Sequence, residues 1–225
     1  MKKDIAMRTL PLFWAMAILV TSASPACAAP GDILVKIRGG YALRSGSSKP
    51  VVAIGEDEVR VKAEGAVGGE ASLTYFLSDS VAAEFAFGGA PYDLKASGGR
   101  RLSSAGLIMP MVVLQYHFLP EGRFFRPYVG IGGAYAKFYS EEPKELLTGQ
   151  NLEPPISYGV SLKSSLAPVG QLGADVAIND RFYVNVDAKF IAANSRLTVE
   201  QGSAQQTVDH DMRSVMVSAG VGFRF

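Results

Sequence analysis

The chain has 225 residues, 48% of them hydrophobic and 19% charged, with 22 basic against 21 acidic side chains. That length holds one domain of ordinary size or one β-barrel, and the near-neutral balance excludes the clear basic excess by which nucleic-acid binders are recognised. A single cysteine excludes a disulfide framework.

The first predicted element is a leader. Lys2, Lys3 and Arg8 form a basic start, Leu10 to Val20 is an apolar run of 11 residues, and Ala26-Cys27-Ala28 offers a small-x-small cleavage site. A bilayer-spanning helix needs about 20 apolar residues, so residues 1–28 read as a signal peptide and 29–225 as the exported chain. The leader removes Lys2, Lys3, Arg8 and Asp4, leaving 19 basic and 20 acidic side chains. Cys27 stands at the cleavage region, and the Ser24-Pro25-Ala26 before it lacks the aliphatic residue usual in a lipid-anchor site. Trp14 leaves with the leader too.

No later apolar run reaches helical membrane length, but barrel strands hide their lipid face in alternation. The odd positions Ile33, Val35, Ile37, Gly39, Tyr41 and Leu43 face one way, and Lys36, Arg38 and Arg44 the other. A second run sets Val67, Ala71, Leu73, Tyr75 and Leu77 against Glu70, Ser72 and Thr74. A third sets Val81, Ala83, Phe85 and Phe87 against Ala82, Glu84 and Ala86. The fourth, Leu107 to Phe118, has Ile108, Val112, Leu114, Tyr116 and Phe118 on one face. On its other face Gln115 and His117 join Leu107, Met109, Met111 and Val113. The fifth, Pro127 to Tyr139, sets Val129, Ile131 and Tyr135 against glycine and alanine. The sixth sets Leu166, Leu172, Val176 and Ile178 against Ser165, Gln171 and Asp175. The seventh sets Phe182, Val184, Val186, Ala188 and Phe190 against Tyr183, Asn185, Asp187 and Lys189. The eighth ends the chain, with Val215, Val217, Ala219, Val221, Phe223 and Phe225 alternating with mostly small or polar residues.

Eight period-two segments of roughly ten residues predict an all-β fold: an eight-stranded antiparallel transmembrane β-barrel. Connections 78–80, 119–126 and 179–181 are short. Connections 45–64, 93–106, 140–163 and 192–208 are longer. Short periplasmic turns and longer extracellular loops are the outer-membrane pattern. Gly39-Gly40, Gly68-Gly69, Gly88-Gly89 and Gly132-Gly133 suit the sharp coiling of a small barrel. As phosphate cradles they fail, because Tyr135 stands where a third glycine would follow Gly130 and Gly132, and no helix comes after. Aromatics near the short turns (Tyr75, Tyr116, Phe118, Phe124, Phe125, Tyr128, Phe182, Phe223, Phe225) are expected in the periplasmic girdle, and Tyr41, Tyr135, Tyr139 and Phe190 in the other.

Several stretches resemble the OmpW family of small outer-membrane barrels. They are GDILVKIRG (31–39), LTYFLSDSVAAE (73–84), LQYHFLPEGRFFRPYVGIG (114–132), QLGADVAINDRF (171–182) and the terminal VGFRF. The resemblance touches all eight strands in order. It implies an eight-stranded barrel with a narrow, largely hydrophobic interior for small apolar molecules. The chain departs from the family in having no tryptophan after Trp14, with Leu166 where the family often carries one.

Giving each inward residue a height sorts the expected interior into two sets. Lys36, Arg38, Glu84, Gln115, His117, Asp175, Asp187 and Arg224 collect in the periplasmic half as a polar plug. Leu107, Met109, Met111, Val113, Met212 and Met216 collect above it, and they include every methionine after residue 28. Opposite charges in a dry lumen must pair, and small barrels fill their interiors with side chains, so the plug is a packed core or a floor against leakage. Methionine adapts to irregular apolar shapes, so the upper set is a pocket for a small hydrophobic ligand or the packing of a closed core. Pro91, Pro110 and Pro168 cannot donate to the ladder and are expected to mark a lateral seam or merely strand ends. Val221, Phe223 and Phe225 are expected to face lipid and to form the terminal signal for the barrel-assembly machinery.

The expected function is therefore uptake or passage of small apolar molecules across the outer membrane of a Gram-negative bacterium. The partners are outer-membrane lipids and the hydrophobic ligand, with no nucleic acid. The rival is a structural or adhesive barrel acting through loops 45–64 and 140–163. An enzyme is not expected. His117 and His210 are predicted roughly 20–30 Å apart in height at ~3.3 Å rise and ~40° tilt, and no triad or metal-ligand spacing emerges. No cofactor is implied.

Overall fold

A computed structural model describes residues 30–45, 61–96, 101–119, 124–143, 158–201 and 204–225; the predicted leader, 1–28, lies outside them. Ten strands appear: β1 (Ile33–Ser45), β2 (Val61–Ala63), β3 (Ala66–Phe76), β4 (Val81–Ala96), β5 (Arg101–His117), β6 (Phe125–Pro143), β7 (Tyr158–Leu162), β8 (Ser165–Ala177), β9 (Phe182–Gln201) and β10 (Ala204–Arg224). Eight form the wall in the order β10-β1-β3-β4-β5-β6-β8-β9, and β9 pairs with β10 to close it. Every pairing is antiparallel. Closure joins the two chain ends: Leu34 faces Arg224 and the register runs unbroken to Ser45 opposite Arg213. Closing the sheet removes its free edges, the condition for a strand structure in lipid. The short strands β2 and β7 extend the wall on the long-loop side, pairing with the ends of β4 and β9.

Alternation sets the two faces. Lys36, Arg38 and Ala42 of β1 are buried while Ile37, Tyr41 and Leu43 are exposed. The same holds around the wall, where Leu73, Phe85, Val112, Leu114, Ile131, Leu172, Val186 and Val217 all point outward, exposed. A continuous apolar belt of this extent is not a water-facing surface; its solvent is hydrocarbon. The turns at 78–80 and 179–181 are short and locally satisfied. Asn179 Oδ1 accepts from the backbone N–H of Arg181 and Phe182, each at 2.9 Å, and Ser78 Oγ accepts from that of Val81 at 3.0 Å.

Two expected loops are largely strand. Residues 93–106 belong mostly to β4 and β5, and 192–208 mostly to β9 and β10. The 20 residues of β9 rise about 65 Å along the strand and about 50 Å in height at ~40° tilt. The apolar band of such barrels is only ~25 Å tall. Above it the outer face meets water and carries no apolar signal, so the alternation fades while the ladder continues.

Candidate functional site: a layered barrel interior

The interior is stratified. At the short-turn end Leu34, Phe76, Ala82, Ala177 and Tyr183 form an apolar floor that sequence analysis did not anticipate. Above it lies a layer of buried charge. Arg38 bridges Glu70, Glu84 (3.1 Å) and Asp187 (3.7 Å), and its Nη2 donates to Ser72 Oγ at 2.8 Å. Lys36 pairs with Asp175 at 3.1 Å. Lys189 pairs with Glu70 and Asp187, both at 2.8 Å. All seven of these charged residues are at most 4% exposed.

Neutral groups complete the layer. Gln171 Nε2 donates to Glu84 Oε1 (3.1 Å) and Asp187 Oδ2 (2.7 Å). Tyr128 donates to Asp187 at 2.9 Å, and Asn185 to Asp175 at 2.8 Å. Gln115 donates to Gln171 at 3.0 Å. His117 meets Gln115 at 3.2 Å, its ring lying between Phe76 and Tyr128 with both centroid distances 5.0 Å. Seven wall strands contribute, so the layer cross-links the barrel. Inner-face glycines make room for it: a Cβ on Gly173 would stand 2.5 Å from Tyr128 Oη.

Above the charge the chamber turns apolar. Ala86, Met111, Val113, Ala134, Ala167, Val169, Ile191 and Ala193 pack together, and Tyr92, Leu94, Leu107, Phe138 and Leu162 form the next tier. Met109 and Met212 are half-buried against both groups. Among the described residues, cavities of about 30 and 40 Å³ lie there, and Met216 lines the second. Each holds roughly one water-sized volume, so an alkyl ligand enters only by displacing side chains. Methionine, with three rotatable bonds, is the residue that gives way most easily.

The residues expected in the plug divide. Lys36, Arg38, Glu84, Gln115, His117, Asp175 and Asp187 come together in the buried layer. Arg224 does not: it lies half-buried at the short-turn rim, 3.6 Å from Asp32. Its position next to the chain end puts it below the apolar floor. Tyr128, expected in the lipid-facing girdle, points inward and is fully buried. Glu70, Ser72, Thr74, Gln171, Asn185 and Lys189 were missed as members, although alternation already put them on the inner face. The Lys189 backbone pairs with Met216, and its long stem carries the charge down to Asp187.

The expected proline seam is partly closed. Pro91 faces Gly106 in a β4–β5 ladder that runs unbroken from Val81 to Leu94. Pro110 coincides with an interruption: Met109 and Pro110 have no ladder partner on β6. Pro168 coincides with another, since β8–β9 pairing stops at Val169 opposite Ile191 while β8 continues to Ser165. Phe225 and Val221 are exposed, and Phe223 stacks edge-on against Phe182 and Phe225. His210 pairs through its backbone with Ser195, on the long-loop side away from His117. Most of loops 45–64 and 140–163 lies outside the described residues.

The OmpW family model matches residues 29–225. Outer membrane protein W of Vibrio cholerae is 24% identical, the match covering 87% of this chain and 89% of that one. The uncharacterized outer-membrane protein y4mB of Sinorhizobium fredii is 29% identical over 69% of this chain and 65% of its own length, just under two thirds. Among solved structures, OprG from Pseudomonas aeruginosa is similar with a TM-score of 0.71 and 22% identity, covering 90% of this chain and 99% of that one. That likeness shows the fold.

Proposed function

The chain belongs to the OmpW family of Gram-negative outer-membrane barrels, and from that premise we propose that it takes small apolar molecules from outside into its methionine-lined chamber and passes them toward the bilayer. The observation that carries this reading is the abrupt change of the lumen, from ion-paired charge to an apolar tier lined by all four methionines after residue 28. A path for water or ions would be polar at that height.

The charged layer argues for a sideways exit. Going downward, an apolar solute would have to part Arg38 and Lys189 from their carboxylates, exposing desolvated charge to hydrocarbon. The ladder interruptions at Met109–Pro110 and beside Pro168 open onto the same tiers as the methionines, and a wall lacking those bonds parts more cheaply there. Val221, Phe223 and Phe225 would serve the assembly machinery, and lipids would surround the belt. The role is binding and passage rather than catalysis, since the His117 ring is fully buried.

Uptake of a medium-chain alkane into vesicles carrying the folded barrel tests the reading. Met109→Lys and Met216→Lys each set an unpaired cation in the chamber and should lower uptake roughly tenfold or more. Uptake unchanged in both variants overturns it.

A further inference from the structure

Resting on the chamber reading above, we propose that Arg44 is an anion-binding residue at the chamber's mouth and that the preferred ligand is an alkyl chain ending in a carboxylate. Arg44 continues the inner face of β1 that carries Lys36 and Arg38. It differs from the three cations of the buried layer. Lys36, Arg38 and Lys189 each have at least one carboxylate within ion-pair distance, whereas no carboxylate of the described residues approaches Arg44 so closely. Its Nη1 donates instead to two neutral carbonyls, Glu64 O and Pro91 O, each at 2.8 Å. Its guanidinium lies 4.6 Å from the centre of the Tyr92 ring. These contacts fix its position without neutralising it. The nearby Asp93 is engaged by Ser104, which donates to it at 2.7 Å, and Glu64 pairs with Lys95 at 2.5 Å.

Both chamber cavities touch Arg44, and both are otherwise bordered by Leu107, Met109 and Ile191. Asp211 and Arg213 stand at the first cavity as well, one of each sign, and leave its net charge to Arg44. A fixed, half-buried guanidinium facing an apolar void suits an amphiphile with an anionic head. Its planar fork of donors matches a carboxylate in two parallel hydrogen bonds. The six residues from Arg38 to Arg44 span roughly 20 Å of strand and about 15 Å of height. A medium alkyl chain hung from Arg44 therefore ends among the methionines, above the charged layer.

The four methionines after residue 28, Met109, Met111, Met212 and Met216, make the test direct. With methyl-¹³C methionine in the folded barrel in nanodiscs, decanoate and 1-decanol are titrated separately, each concentration referred to the bilayer. Decanoate should shift the methyl signals at roughly tenfold or more lower concentration than decanol, as one charged hydrogen-bonded pair allows. In Arg44→Gln the two ligands should become equal through loss of decanoate affinity alone, and Arg44→Lys should keep part of the preference, which also covers a failure of Arg44→Gln to fold. Equal concentrations in the native barrel, or an equal loss for both ligands in Arg44→Gln, would overturn the assignment and reduce Arg44 to a clamp on the Glu64 and Pro91 carbonyls. Silence of the methyl signals toward both ligands in the native barrel would overturn the chamber reading itself.

Discussion

The lower and upper halves of the lumen are built from the same strands with opposite tolerances. In the lower half each side chain has one acceptable neighbour set: Arg38 answers to Glu70, Glu84 and Asp187 together, and Gln171 is shared by Glu84 and Asp187. In the upper half Met109 and Met212 touch two apolar groups and are committed to neither. Hydrogen bonds and ion pairs are directional, and their loss in a dry interior is costly. Apolar contact is not directional, so the chamber can rearrange while the layer beneath it holds the barrel's shape. A rigid base and a yielding cup suit the proposed admission of a solute without the opening of a pore.

The sharpest way to break this contrast is at Arg38. Arg38→Ala leaves Glu70, Glu84 and Asp187 undercompensated and should cost about 3–5 kcal/mol, read by urea unfolding of the barrel in micelles. A loss below 1 kcal/mol would mean that the layer is wet and loosely held. Gly173→Ala is expected next, at about 1–3 kcal/mol, because its methyl would push Tyr128 off Asp187 and Asn185. In the chamber, Met111→Leu conserves volume and should cost less than about 1.5 kcal/mol, although Met111 is as buried as the charges below it. If it costs as much as Arg38→Ala, the chamber is not a yielding cup. The smallest effect belongs to the rim pair Lys95–Glu64, where both side chains are about one-third exposed or more. Lys95→Ala should change stability by about 0–1 kcal/mol, and still less at high salt.

Much of this was legible along the chain. Inward and outward faces followed from alternation because a strand's side chains must alternate whatever it pairs with, so Lys36, Arg38, Asp175 and Met216 were assigned inward without knowing their neighbours. Height was read less well. Lys189 was left out of the plug although its long stem reaches the layer below its backbone, and Arg224 was set inside because a rim residue alternates like any other. The extensions of β4, β5, β9 and β10 were missed where water replaced lipid outside the wall. Tyr128 was misread because an aromatic near a turn carries the same letter whether it anchors in the interface or reaches inward over a glycine.

By itself the amino-acid order determined that eight segments cross the membrane and that the methionines after residue 28 share the inner side of those segments. These depend on local spacing and the solvent on each side. Only the closed barrel decided which charges meet, since Lys36 and Asp175 lie 139 residues apart. It also decided that Arg44, alike in spacing to Arg38, lacks the carboxylates that surround Arg38. Partnership across a lumen is set by closure and register, and neither is written into the alternation of any single strand.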